Sequence, residues 1–126
     1  MNKDRKTIMV VNDDEPIRCL IGSMLDKEFN VEYMSNGQEA LDRLQSGESI
    51  DLILLDMEMP KINGRVFIRR VQFYPKHTTM PIILISATSS KLIINSFLKL
   101  GVMDYIVKPF KVEELLEKVR NVLPLS

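Results

Sequence analysis

The stretch Ile50-Asp51-Leu52-Ile53-Leu54-Leu55-Asp56-Met57-Glu58-Met59-Pro60 places a carboxylate directly after four consecutive apolar residues, with a proline four positions beyond it. A short apolar run of this kind reads as a strand buried on both faces, as in a parallel sheet with helices above and below. Asp56 then lies at the carboxyl end of a central strand, the edge where ligand chemistry collects in open α/β sheets. The competing reading of this stretch is an ordinary turn aspartate before Met-x-Pro, so the surrounding chain has to decide.

Upstream, Ile8-Met9-Val10-Val11 is a similar apolar run that ends in Asn12-Asp13-Asp14-Glu15. Behind it Ile17, Leu20, Ile21, Met24 and Leu25 recur at helical spacing, Asp14 or Glu15 can cap the first turn, and Pro16 suits an early helical position. Val31 to Met34 reads as a second strand, and Ser35-Asn36-Gly37 as the turn into a helix from Gln38 to Gln45 with Ala40, Leu41 and Leu44 inward. Downstream of Pro60, the turn Lys61-Ile62-Asn63-Gly64 leads to a helix whose Val66, Phe67, Arg70 and Val71 leave one apolar side. Tyr74-Pro75 through Met80 is a polar connection, with His77 read as a solvated surface residue rather than a base.

Ile82 to Ile85 forms a fourth strand ending in Ser86-Ala87-Thr88, followed by a helix over Ser90 to Leu100 that stops at Gly101. This helix carries Leu92, Ile93, Phe97, Leu98 and Leu100, more apolar residues than one inner face needs, which two readings explain: a helix buried without a partner, or exposure of Ile94 or Phe97 on a dimer or target surface. Met103 to Val107 is the fifth strand, Lys108-Pro109-Phe110 the turn after it, and Val112 to Val122 the last helix. The alternation predicts an α/β domain with a five-stranded, doubly wound parallel sheet and five helices, its crossovers right-handed.

At 126 residues the expectation is one domain spanning 1–126. Seventeen basic side chains balance 17 acidic ones, which gives no electrostatic case for direct nucleic-acid binding. The lone Cys19 excludes an internal disulfide or a thiolate metal cluster. Met1 to Lys6 lacks the apolar core of a signal peptide, and no stretch approaches the roughly eighteen apolar residues that span a bilayer. A cytoplasmic protein without membrane insertion is expected.

In a parallel sheet the polar residues at the strand ends converge on one edge: Asn12, Asp13 and Asp14, then Asp56, Ser86 and Lys108. Crowded carboxylates repel unless a cation joins them, and Mg²⁺ is satisfied by a couple of carboxylates, a carbonyl and waters. With Lys108 as a fixed positive point, such a site suits phosphoryl transfer, and Asp56 is a candidate nucleophile. Asn36-Gly37, Asn63-Gly64 and Gly101 are isolated glycines rather than a nucleotide loop.

These residues resemble the receiver domain of two-component response regulators, of the chemotaxis-regulator type. The resemblance runs from about Lys6 to Val122 and rests on five pieces. They are Val10-Val11-Asn12-Asp13, Asn36-Gly37-x-x-Ala40-Leu41, Asp51 through Asp56-Met57-x-Met59-Pro60 with Asn63-Gly64, Pro81-Ile82 through Ser86-Ala87, and Gly101-x-x-Asp104-Tyr105-x-x-Lys108-Pro109-Phe110.

The resemblance implies a flavodoxin-like sheet of order 2-1-3-4-5, with a core over about 6–122, and a phosphorylation switch. A histidine kinase or histidine phosphotransfer protein would charge Asp56, in a reaction dependent on Mg²⁺, with Mn²⁺ as an alternative, and slow self-dephosphorylation would follow. The metal would be held by Asp13, Asp56 and the backbone carbonyl of Glu58, with Asn12 or Asp14 acting through water. Lys108 would pair with the phosphoryl oxygens, Ser86 would swing onto the phosphate, and Tyr105 would turn inward. Pro60, Gly64, Ala87 and a cis Pro109 would be structural. Helix four, strand five and helix five would form the output face toward a downstream target, an output domain outside this chain, or a homodimer partner.

Two departures stand out. A gapless register puts Asn12 at the family's first acidic position and Asp13 at the second, whereas a one-residue shift matches Asp13-Asp14-Glu15-Pro16 to the common wording. The gapless register keeps the helical phase of Ile17, Leu20 and Ile21, and a shift would exchange the faces of the first strand. An amide in place of a carboxylate should weaken Mg²⁺ binding somewhat. Glu58 borders the site and can accept from Lys108 or metal-bound water. Competing readings are a haloacid-dehalogenase-like metal-dependent phosphatase, which lacks its second aspartate and cap insertion here, and an inactive receiver-like binding module.

Overall fold

The computed structural model describes residues 4–47, 49–58, 63–73 and 79–123; Met59, Pro60 and His77 lie outside them. In chain order the elements are β1 (Thr7–Val11), α1 (Glu15–Leu25), β2 (Asn30–Met34), α2 (Gly37–Gln45), β3 (Leu52–Asp56), α3 (Gly64–Phe73), β4 (Ile82–Ser86), α4 (Lys91–Lys99), β5 (Asp104–Val107) and α5 (Val112–Val122). All five strands are parallel, in the order β2-β1-β3-β4-β5. The expected fold class and strand order are therefore found.

Side-chain alternation sorts the strands onto two faces. Met9, Val11, Ile53, Leu55, Ile82 and Leu84 pack with Ala40, Leu41 and Leu44 of α2, Phe67, Ile68 and Val71 of α3, and Phe97 of α4. Ile8, Val10, Leu52, Leu54, Ile83, Ile85 and Ile106 pack on the other face with Ile21 and Leu25 of α1 and Leu115 and Val119 of α5. Every residue of β3 and β4 is buried, which is why these strands read as unbroken apolar runs.

The helices correct the readings of Leu20 and Val66 and decide between the two readings of α4. Ile94 and Phe97 are buried, whereas Leu92 is 83% exposed and Ile93 and Leu98 are 38% and 37% exposed. At 3.6 residues per turn Ile94 and Phe97 share one side of α4, Ile93 and Leu98 flank it, and Leu92 lies opposite. Likewise Leu20 of α1 falls outside the stripe made by Ile17, Ile21 and Leu25 and is exposed, and Val66 faces away from Phe67, Ile68 and Val71 in α3. Among the described residues no helix is long and apolar enough to cross a membrane.

Helix caps follow the local sequence. Asp14 caps α1 by accepting from the Ile17 N–H at 3.1 Å, and Asn36 caps α2 by accepting from the Glu39 N–H at 2.8 Å. α4 ends at Gly101, whose φ of 106° lies in the left-handed region. A Cβ there would meet Nε2 of Gln72 at 2.8 Å, the atom that donates to the Leu100 carbonyl at 2.7 Å. Gly101→Ala is expected to cost about 1–3 kcal/mol, from backbone strain and the disturbed bond. Urea unfolding checks this, and a loss under a few tenths of a kcal/mol would refute it.

Candidate functional site

The sheet order reverses beside β1, so the carboxyl ends of β1 and β3 flank a topological switch point. Val11 is in register with Leu55, which brings the next residues, Asn12 and Asp56, side by side. Both are buried, at 1% and 3% exposure, and Asn12 Nδ2 donates to Asp56 Oδ2 at 2.8 Å. The rest of Asn12 is also engaged. Its N–H donates to the Met34 carbonyl at 3.0 Å, its Oδ1 accepts from the Asp14 N–H at 2.8 Å, and its carbonyl accepts from Arg18 Nη1 at 2.7 Å. A flipped amide would set a carbonyl oxygen against a carboxylate and an NH₂ against an N–H, so the network itself fixes the orientation.

Asp56 Oδ1 accepts from the Glu58 N–H at 2.9 Å, and Lys108 Nζ lies 3.1 Å from each carboxylate oxygen. Lys108 arrives from the end of β5, where its N–H donates to the Ser86 carbonyl at 2.8 Å and its bond to Pro109 is cis. Burial opposes the Lys108 charge. The hydrogen bond and charge of Asp56, joined by Glu58, outweigh it and hold the ammonium above the ordinary lysine value. Because the folded value is raised, this stabilisation is complete below the ordinary lysine range and is lost only as pH rises through the raised value.

Glu58 turns back into the site. Its Oε1 accepts from the Ala87 N–H at 2.8 Å and lies 3.4 Å from Lys108 Nζ. Ser86 is fully buried and faces the loop that follows it: Oγ accepts from the Thr88 N–H at 3.0 Å and lies 3.4 Å from the Thr88 carbonyl and 3.6 Å from Met57 Sδ. Tyr105 is half-buried, its ring 5.2 Å from the Lys118 ammonium, which pairs with Asp104 at 3.1 Å. Gly64 opens α3 where a Cβ would touch the Phe97 ring at 3.5 Å.

Asp56, Lys108, Glu58 and Asn12 are thus in direct contact, with Ala87 and Ser86 at their border. Asp13 is exposed at the same edge, and Asp14 is committed to capping α1, which leaves Asn12 rather than Asp14 against Asp56. Arg18 and Thr88 were missed by sequence reasoning. Thr88 was legible as the partner in a Ser-x-Thr turn, whereas Arg18 sits one helical turn into α1 with no local mark. Among the described residues no three Asp, Glu, His or Cys side chains gather as a metal cluster. Asp56 and the exposed Asp13 are oxygen donors of the chemical kind that suits Mg²⁺, which takes few protein ligands and keeps waters in its remaining positions.

Comparison with known proteins gives a match over residues 8–120 to the family described as the response regulator receiver domain. The chain is 40% identical over 127 aligned positions to the transcriptional regulatory protein CpxR of Escherichia coli K12, covering 100% of this chain and 51% of CpxR. It therefore spans about half the length of that relative. It is 34% identical to a chemotaxis protein CheY homolog of Campylobacter jejuni, covering 92% of this chain and 91% of that protein. Among solved structures, Vibrio cholerae CheY4 superposes with a TM-score of 0.88 at 28% identity, over 94% of this chain and 99% of that one. A response regulator from Thermotoga maritima gives 0.83 at 32% identity, over 94% and 98%.

Proposed function

The chain belongs to the response regulator receiver domain family of two-component signalling, and on that premise we propose that Asp56 is its phosphoacceptor. The observation that carries this reading is the buried Asp56 carboxylate at the end of β3, with the Lys108 ammonium 3.1 Å from both oxygens. An Asp56 oxygen attacks the phosphorus of a phosphohistidine, the O–P bond forms as the P–N bond breaks, and the bonding pair returns to the ring nitrogen of the donor, whose other ring nitrogen already carries a proton, so that a neutral imidazole leaves. Lys108 neutralises charge on the transferring group from a fixed position. Slow hydrolysis returns the carboxylate and inorganic phosphate.

Receiver domains generally use Mg²⁺ in phosphorylation. Asp13, Asp56 and the Glu58 carbonyl would hold it here, with Mn²⁺ as a substitute, and a bound divalent ion supplies charge neutralisation at the phosphoryl oxygens. Ser86 is the hydroxyl that turns from Thr88 toward the phosphate, and Tyr105 follows it inward. The readout is the face made by α4, β5 and α5, where Leu92 stands exposed.

The proposed donor is a histidine kinase or histidine phosphotransfer protein. The proposed recipient is a downstream target, an output domain outside this chain, or a second copy on the α4-β5-α5 face. The unit is one receiver domain over 1–126, acting in the cytoplasm, without direct DNA contact or membrane insertion. Chemistry is limited to autocatalytic transfer and self-dephosphorylation.

The test is incubation with Mg²⁺ and acetyl phosphate, followed by intact mass measurement. One phosphoryl group is expected on the wild type and none on Asp56→Asn. An adduct that persists in Asp56→Asn overturns the assignment. Rapid turnover of many phosphate esters would favour the phosphatase reading, and no adduct at all the inactive module.

A further inference from the structure

We propose that Glu58 is an internal competitor for the phosphoryl site: in the uncharged protein its carboxylate occupies the donors that a phosphoryl group on Asp56 needs, and phosphorylation must expel it. The inference rests on Asp56 being the phosphoacceptor. Glu58 Oε1 receives the Ala87 N–H at 2.8 Å and stands 3.4 Å from Lys108 Nζ, while the same ammonium is 3.1 Å from both oxygens of Asp56. A group covalently attached to an Asp56 oxygen enters the space bounded by these two donors. The donors come from separate elements, the end of β4 and the end of β5, and they converge on one oxygen of the loop that follows the acceptor. That is the arrangement of an anion site, filled by the chain's own anion.

Three consequences follow from charge and exposure. An incoming phosphodonor meets a fixed negative charge beside Asp56, so Glu58 slows charging. Once attached, a phosphoryl group with a charge of about −1.5 to −2 and three acceptor oxygens outcompetes a single carboxylate for Lys108 and Ala87. The displaced side chain, already 38% exposed, moves into water without exposing apolar surface. Displacement also breaks the tie between the loops after β3 and β4, which frees the segment carrying Ser86, Ala87 and Thr88 immediately before α4. Glu58 thus couples occupancy of the site to the loop that leads into the output face.

The test compares wild type, Glu58→Gln and Glu58→Ala at saturating Mg²⁺ and subsaturating acetyl phosphate, following the rate of adduct formation by intact mass. Glu58→Ala is expected to be about tenfold faster and Glu58→Gln about threefold, the scale of one charge-assisted hydrogen bond that no longer has to be displaced. The graded order matters: simple charge repulsion would make the two variants equal, and that result would overturn the occupancy. A second readout needs no phosphoryl chemistry. The Ala87 amide proton, followed by NMR without phosphodonor, should move upfield in Glu58→Ala as it loses its carboxylate acceptor, and an unmoved resonance would also overturn the proposal. Equal or slower rates in the variants, with adducts in all three proteins, sink the competitor alone. Absence of adduct from all three sinks the phosphoacceptor reading and the competitor with it.

Discussion

Asn12→Asp is expected to destabilise the metal-free protein by about 2–4 kcal/mol, although it restores an acidic residue of the kind the resemblance places at that position. Asn12 Nδ2 donates to Asp56 Oδ2 at 2.8 Å, and both side chains are almost wholly buried. The substitution turns that donor into a second carboxylate oxygen at hydrogen-bond distance. Asp56 loses a partner and gains a like charge where water screens poorly. Lys108 already serves both Asp56 oxygens and Glu58, so it cannot neutralise the newcomer as well.

A divalent ion can. Mg²⁺ should therefore bind Asn12→Asp more tightly than wild type and recover most of the lost stability, since a ligand that binds only the folded state stabilises by mass action. Urea unfolding in a chelator and again in Mg²⁺, with a Mg²⁺ titration of both proteins, checks the pair of expectations. Wild-type stability in the chelator, or unchanged Mg²⁺ affinity, would remove Asn12 from the role described.

Phe67→Ala is expected to lower stability by about 3–5 kcal/mol. Phe67 has no exposed surface and lies in the cluster where α3 meets Leu55, the residue before Asp56 in β3. Its removal forfeits the transfer free energy of a ring and leaves a cavity between a helix and a central strand that the sheet cannot close, because the β3 backbone is bonded on both sides. Phe67→Leu fills most of that volume and should lose no more than about 1.5 kcal/mol. Urea midpoints at unchanged m-value read both effects, and a loss below about 1 kcal/mol in Phe67→Ala would contradict the packing described.

Much of the fold was legible because it is written locally. The apolar runs of β1, β3 and β4, the caps Asp14 and Asn36, and Gly101 at the end of α4 announce their elements within a few residues. The side of α4 that is buried was legible too, because Ile93, Ile94, Phe97 and Leu98 share one arc centred on Ile94 and Phe97, with Leu92 opposite. What that stripe packs against was not. It meets α3, where Gly64 leaves room for the Phe97 ring and Arg65 lies 4.4 Å over that ring while donating to Ser96 Oγ at 2.6 Å.

The same division runs through the site. The sequence by itself determined which residues stand at the carboxyl ends of the strands, because period and punctuation place Asn12, Asp56, Ser86 and Lys108 there without reference to one another. Only the tertiary structure decided what they do to each other: that the Asn12 amide is a donor to Asp56, that Asp14 is spent on a helix cap, and that Glu58 reaches Ala87, 29 positions away. Strand position follows from patterns a few residues long. Side-chain direction in a polar site is set by partners that the sheet brings together from distant parts of the chain.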